Sequence, residues 1–210
     1  GASLPNEKIV VGGHLDSWDL ATGAIDNGIG SFSVLDMART FQVLKLNPAR
    51  TVEFALFMGE EEGLLGSKAY VASAKNDKSI DQISYMFNYD MTNDPKGFST
   101  SSEDSRALFQ SIGAIANKID TNFKNSISVG AGLHSDHQPF MLQGIPTGGG
   151  SGGGLPNGAG PCYHADCDGF NLVDEKGMKN TVRYGAMLLY GVAAATEIKS
   201  KHLTDQETKQ

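Results

Sequence analysis

Three stretches of the chain concentrate apolar residues over lengths too short for a helix: "KIVVGG" (8–13), "TVEFALFM" (51–58) and "ISYMFNYD" (83–90). Their β-branched and aromatic content predicts buried strands. Between the first two, Val34, Met37, Ala38, Phe41 and Leu44 recur at the spacing of a helix with one apolar face. Further amphipathic helices are predicted over "GLLGSKAYVASAK" (63–75), "DSRALFQSIGAIANKI" (104–119) and "GMKNTVRYGAMLLYGVAAATEI" (177–198), the last entered through Asp174 as a cap. Strands alternating with helices imply an α/β fold, a largely parallel sheet with helices on both faces.

The glycine-rich stretch "TGGGSGGGLPNGAGP" (147–161) breaks this pattern. It reads as a flexible surface loop, or as the border of a pocket beside "CYHADC". It has no "GK[ST]" ending, so a phosphate-binding loop is a poor match. Internal repeats and a dividing linker are both absent from the sequence, so residues 1–210 read as a single domain.

In sheets of this kind ligands gather beyond the carboxyl ends of the strands. His14 follows the first predicted strand, Glu60 and Glu61 the second, and Asp90 closes the third. With Asp26 and His164 they form a mixture of imidazoles and carboxylates suited to zinc or a similar divalent metal, whereas calcium favours oxygen alone. So many acids at one rim repel one another unless cations offset them, and two ions sharing a bridging carboxylate, about 3.5–4 Å apart, would do so. Such a pair lowers the pKa of a shared water from 15.7 towards about 7. The adjacent Glu60 and Glu61 then offer one ligand and one general base. Asp16, two residues beyond His14 in extended chain, is placed for its carboxylate to accept the second ring N–H of that histidine.

Composition narrows the partners. Forty per cent of the 210 residues are apolar, and the net charge is −7. This argues for a globular protein and against nucleic acid or an anionic membrane surface. No run approaches the roughly 20 apolar residues of a membrane span. The start, "GASLPNEKIV", has neither the basic segment nor the apolar core of a signal peptide, and a strand is predicted almost at once. The expectation is therefore the C-terminal part of a longer protein, prone to self-association through an uncovered sheet edge. The two cysteines, Cys162 and Cys167, admit a disulfide-closed loop or two free thiols; the disulfide is the expectation, with an extracellular or periplasmic location following from it.

Six segments, "GGHLDSWD", "GAIDNGIG", "GEEEGLLGS", "NYDM", "SDHQPF" and "CYHADCD", resemble in order and approximate spacing the M28 zinc peptidases, the co-catalytic aminopeptidase family that includes plasma glutamate carboxypeptidase. The resemblance runs from about residue 8 to 196. It implies a three-layer α/β/α sandwich with a mostly parallel, mixed central sheet, the zinc-exopeptidase fold, here lacking N-terminal elements. It implies two Zn2+ ions, His14 and Asp90 holding one, Glu61 and His164 the other, and Asp26 bridging, with a cis peptide between Asp26 and Asn27. Glu60 would be the general base, since "EEEGLLGS" fits the family's "EE-x-G-L-x-G-S" only in that register. Tyr163 would donate to the oxyanion. Asp136 and His137 would be second-sphere or substrate-contacting groups, and Phe140 would line the specificity pocket, while His202 reads as surface. "GHLDSWD" with Trp18 looks closest to the plasma glutamate carboxypeptidase branch, and "SDHQPF" with "CYHADC" to bacterial aminopeptidases. The implied activity is removal of one residue from a peptide or dipeptide with a free amino terminus. The alternatives are a single-zinc glutaminyl cyclase and a non-catalytic binding module on the same fold.

Overall fold

Ile9, Val10 and Val11 are wholly buried and place β1 (Leu4–His14) inside the sheet rather than at its rim. A computed structural model describes every residue except 131, 157, 200–201, 205–207 and 209–210. β1 pairs in parallel with β2 (Arg50–Phe57) on one side and β3 (Ile83–Asn88) on the other, with Gly12 opposite both Ala55 and Asn88. The six-stranded order is β2-β1-β3-β6-β4-β5, where β4 is Gly97–Thr100, β5 Ser126–Val129 and β6 Thr147–Ser151. All pairings are parallel except β4 with β6, which makes the sheet mixed.

Alternation along β1 sorts the helices onto two faces. Ile9 and Val11 join a core formed with Val34, Met37 and Phe41 of α1 (Ile29–Val43), Phe109 and Ile112 of α3 (Arg106–Ile119), and Leu188 and Val192 of α5 (Glu175–Ala194). Val10 points the other way, into Val71 and Ala74 of α2 (Leu65–Asn76) and Phe140 of the short α4 (His137–Met141). The result is an α/β/α sandwich. The predicted helices and first three strands are present with ends shifted by a few residues. Asp174 occupies the N-cap position of α5, although its side chain makes no capping hydrogen bond.

The glycine-rich stretch corrects the expectation of a surface loop. Its first five residues are β6, paired to β3 through Met86–Thr147 and Phe87–Gly148. A side chain at Gly148 would begin 2.4 Å from the Ser99 carbonyl oxygen, so the approach to β4 selects glycine here. The polar tail is described only in part. His202, expected at the surface, is half-buried, and its Nε2–H donates to the Ile83 carbonyl at 2.6 Å; residues 205–207 and 209–210 of that tail lie outside the described residues.

Candidate metal centre

Parallel strands deliver their carboxyl ends to one rim. His14 is the last residue of β1, Glu60 and Glu61 follow β2, Asp90 follows β3, and His164 lies in the loop beyond β6. Asp26 arrives from a tight turn (Ala24–Gly28) whose backbone is non-helical at Asp26 and Asn27 and contains a cis peptide between them, as the resemblance implied.

That turn is held from three directions. The Asp168 carboxylate accepts the backbone N–H groups of Ile25 and Asp26 at 2.8 and 2.9 Å. Ser17 Oγ donates to the Asp26 carbonyl at 2.6 Å. Asn27 donates through Nδ2 to the Tyr89 carbonyl at 3.0 Å and accepts the Met91 N–H at 2.9 Å, bracing the turn against the end of β3.

The Asp26 carboxylate then divides. Its Oδ1 lies 3.2 Å from His14 Nε2, and its Oδ2 lies 3.2 Å from His164 Nε2. His14 Nε2 is also 3.5 Å from Asp90 Oδ1, and His164 Nε2 is 3.3 Å from Glu61 Oε2. His14 Nδ1–H donates to the carbonyl of Asp16 at 3.0 Å, which leaves Nε2 with its lone pair towards the cluster in the neutral ring. Asp90 Oδ2 accepts from Ser135 Oγ, whose own lone pair takes an N–H of Asn88, both at 2.7 Å.

Asp16 departs from expectation. Its carboxylate stands 3.8 Å from His14 Nδ1 and instead accepts the backbone N–H groups of Glu60 and Glu61 at 3.1 and 3.2 Å. Two adjacent N–H groups with no other partner outcompete a ring already satisfied by a carbonyl. Asp16 thereby aligns His14 through its backbone and the glutamate loop through its side chain.

The donor set suits a pair of divalent cations. His14, Asp26 and Asp90 present ligand atoms within 4.8 Å of one another, as do Asp26, Glu61 and His164, and a third grouping brings Glu60 to the same distance from His14 and Glu61. Among the described residues Asp90 Oδ1 and Glu61 Oε1 are buried without a hydrogen-bond partner, atoms that a cation would satisfy. Charges report the same crowding. Burial pushes the Glu60 carboxyl up to about 7, with Asp90, Asp136 and Glu61 adding to the rise and His14 opposing it. Burial and Asp26 raise Glu61. Burial lowers His14, but its contacts with Asp26 and Asp90 outweigh it and carry the imidazole up to about 11.

Around this cluster lies a cleft of ≈ 350 Å³, walled by Trp18, His134, Gln138 and Tyr163 as well as the acidic and histidine groups. A larger cavity of ≈ 460 Å³ adjoins it, sharing Asp90, Met91 and His134 and lined further by Asn88, Ser99, Ser135 and His137. Tyr163 is half-exposed with its ring stacked on His164, centroids 3.7 Å apart. Cys162 and Cys167 form a disulfide beside it. His137 donates Nε2–H to the Gly132 carbonyl at 2.8 Å and lines the larger cavity.

One expected substrate contact is corrected. Phe140 is wholly buried between Phe57 and Tyr70, because α4 must cover Val10 and Met86 with its apolar side. Asp136 is wholly buried too and lines neither cavity, which fits the second-sphere alternative of its two expected roles; burial raises its carboxyl to about 6, with Asp90 and Asp16 adding to the rise and His14 opposing it. Conversely, Asp168, Ser135 and the contacts of Trp18 carry the geometry without having been singled out. A carboxylate next to Cys167 and a serine before Asp136 were the only local hints.

Comparison with known proteins places these features in a family. The model of peptidase family M28 matches residues 1–189. Leupeptin-inactivating enzyme 1 of Streptomyces exfoliatus is 29% identical over 220 residues, covering 92% of this chain and 47% of that protein. Human carboxypeptidase Q is 29% identical over 203 residues, covering 94% and 41%. The chain thus spans less than half the length of these relatives. BSAP, a zinc aminopeptidase from Bacillus subtilis, superposes with a TM-score of 0.73 at 25% identity, covering 97% of this chain and 50% of BSAP. The peptidase M28 precursor of Shewanella amazonensis shares the fold at a TM-score of 0.81 and 22% identity, covering 97% and 45%.

Proposed function

The chain belongs to peptidase family M28, and on that ground we propose that it is a zinc metallo-exopeptidase, hydrolysing the peptide bond next to a free N-terminal amino group. The observation that carries this reading is the division of the Asp26 carboxylate, one oxygen towards His14 and the other towards His164. His14 and Asp90 would hold one zinc, Glu61 and His164 the other, and Asp26 both. When bound, zinc supplies Lewis-acid polarisation of a peptide carbonyl and makes water acidic at neutral pH.

The remaining work falls to the chain's own side chains. Glu60 sits beside both cages, close to His14 of one and Glu61 of the other, so it takes a proton from water and returns it to the leaving amine. Asp16 holds the backbone of Glu60 and Glu61 and, through its carbonyl, the tautomer of His14. The Tyr163 hydroxyl, at the cleft wall, donates to the carbonyl oxygen as charge develops there. The larger cavity, with His137 in its wall, receives the substrate's side chain. The disulfide supports an extracellular or periplasmic setting. Among the described residues no helix is long and apolar enough to cross a membrane. A single-zinc cyclase would use one cage only, and a binding module would have no need of a full donor set.

Zinc analysis and hydrolysis test this together. The dialysed, zinc-loaded chain is expected to retain two equivalents and to cleave aminoacyl anilides or dipeptides, while Glu60→Gln keeps its zinc and loses about 10²–10⁴-fold in kcat. Retention of one equivalent would favour the cyclase. No cleavage of any substrate, with Glu60→Gln indistinguishable from the parent, would favour the binding module.

A further inference from the structure

Trp18 is the only tryptophan in the chain, and it stands 45% exposed in the wall of the cleft. Its indole N–H donates to Glu61 Oε2 at 2.7 Å. Its ring also lies against the His164 imidazole, with centroids 4.8 Å apart and planes inclined by 38°. Both contacts fall on one half of the centre, the Glu61–His164 half.

The chemistry of the two partners defines what these contacts do. An indole N–H can only donate, so the bond fixes which Glu61 oxygen it occupies. Oε2 takes the indole and faces His164, whereas Oε1 is buried and has no partner. Without the indole, the carboxylate would be free to turn and share its two oxygens differently, and the imidazole would lose a flanking ring. His164 needs such restraint because it belongs to a loop whose backbone is in the left-handed region at that residue, φ 54°.

We propose that Trp18 is a positioning residue for the Glu61–His164 half of the metal centre, orienting the carboxylate through its N–H and the imidazole through its ring before an ion arrives. The proposal rests on the reading of the cleft as a two-metal centre. It makes the two halves unequal: Trp18 touches only one, whereas the side chains of His14 and Asp90 are oriented by the Asp16 carbonyl and by Ser135.

The sole tryptophan is also the reporter. Titration of the metal-free chain with Co2+, a quencher of indole emission at short range, is expected to quench Trp18 as the Glu61–His164 half fills. Calorimetric titration with Zn2+ is expected to show that Trp18→Phe, which keeps a ring but lacks the N–H, weakens one of two equivalents by about tenfold or more and leaves the other within twofold. In a Glu61→Gln background the same Trp18→Phe change is expected to add less than a twofold effect, because the carboxylate it orients is gone. Equal weakening of both equivalents, no weakening of either, or an undiminished loss in the Glu61→Gln background would overturn the role of Trp18. So would two-ion uptake that leaves its emission unchanged. A parent chain that takes up no metal would sink the two-metal reading itself, and this proposal with it.

Discussion

The carboxylate of Asp168 accepts the backbone N–H of Asp26 at 2.9 Å across 142 residues of chain, with the Ile25 N–H on its other oxygen. The Asp26 carboxylate, which faces His14 and His164, is therefore aimed by a second aspartate that binds only its backbone. Asp168→Asn replaces one acceptor with an N–H group facing an N–H group. The expected result is a loss of about 1–3 kcal/mol in urea unfolding of the metal-free chain, together with weaker zinc retention on dialysis. An unchanged unfolding midpoint would remove Asp168 from the support of the site.

Stability of the metal-free chain should fall as pH rises from about 5 to 8. Glu60 and Asp136 are raised from 4.5 to about 7 and from 3.8 to about 6, each with burial as the first cause. The native state therefore holds more protons than the unfolded chain between the two values, and stability declines through that window. His14 acts in the same direction: its carboxylate neighbours overcome burial and raise it from 6.5 to about 11, so its contribution is complete below 6.5 and is lost above. Asp90 is lowered despite burial by His14 and Ser135, and its contribution changes only in more acidic solution. Zinc displaces protons from these groups, so its stabilising effect should be larger at pH 8 than at pH 5.5. Calorimetric melts at the two pH values, with EDTA and with zinc, check both signs.

Phe140→Ala should lower stability by about 3–5 kcal/mol while leaving the ratio of kcat/KM between large and small substrate residues unaltered. The side chain belongs to the core beneath α4 and touches neither cavity. Denaturant titration and a two-substrate assay on zinc-loaded protein separate the effects. A changed substrate ratio at intact stability would restore the phenylalanine to the binding pocket.

β2 is an edge of the sheet, and Leu56 and the following Met58 expose 39% and 57% of their surface. Such an edge offers unpaired backbone groups to another chain. Light scattering on a size-exclusion column should show concentration-dependent self-association that Leu56→Lys reduces. A monomer at every concentration would show the edge to be adequately protected.

Legibility varied with the kind of signal. β1 and α1 announced themselves because their apolar residues follow the period of the element they form, and the strand ends then located His14, Glu60, Glu61 and Asp90 on one rim. β6 was invisible because glycine has no strand preference; its extended state is imposed by neighbours, with the Asn88 carbonyl 2.6 Å from where a side chain of Gly149 would begin. Asp168 and Ser135 each act through two side-chain hydrogen bonds formed across the fold, which leave no periodic trace. The resemblance sets Phe140 at a pocket wall, but its polar neighbours in sequence suit a rim and a core equally well, and only the direction of α4 decides between them.

The larger cavity is bounded along one side by the glycines of β6. Gly148 and Gly150 stand in its lining, two residues apart along the strand. Neither could grow a side chain into the recess: Gly148 faces the Ser99 carbonyl and Phe109, and Gly150 faces Pro95 and Thr92. Variation at Gly150, whose added carbon would press on Pro95 and Thr92 at 3.0–3.1 Å, would consequently reshape the chamber second-hand, by displacing Thr92 from its lining while leaving the histidine and carboxylate cluster alone.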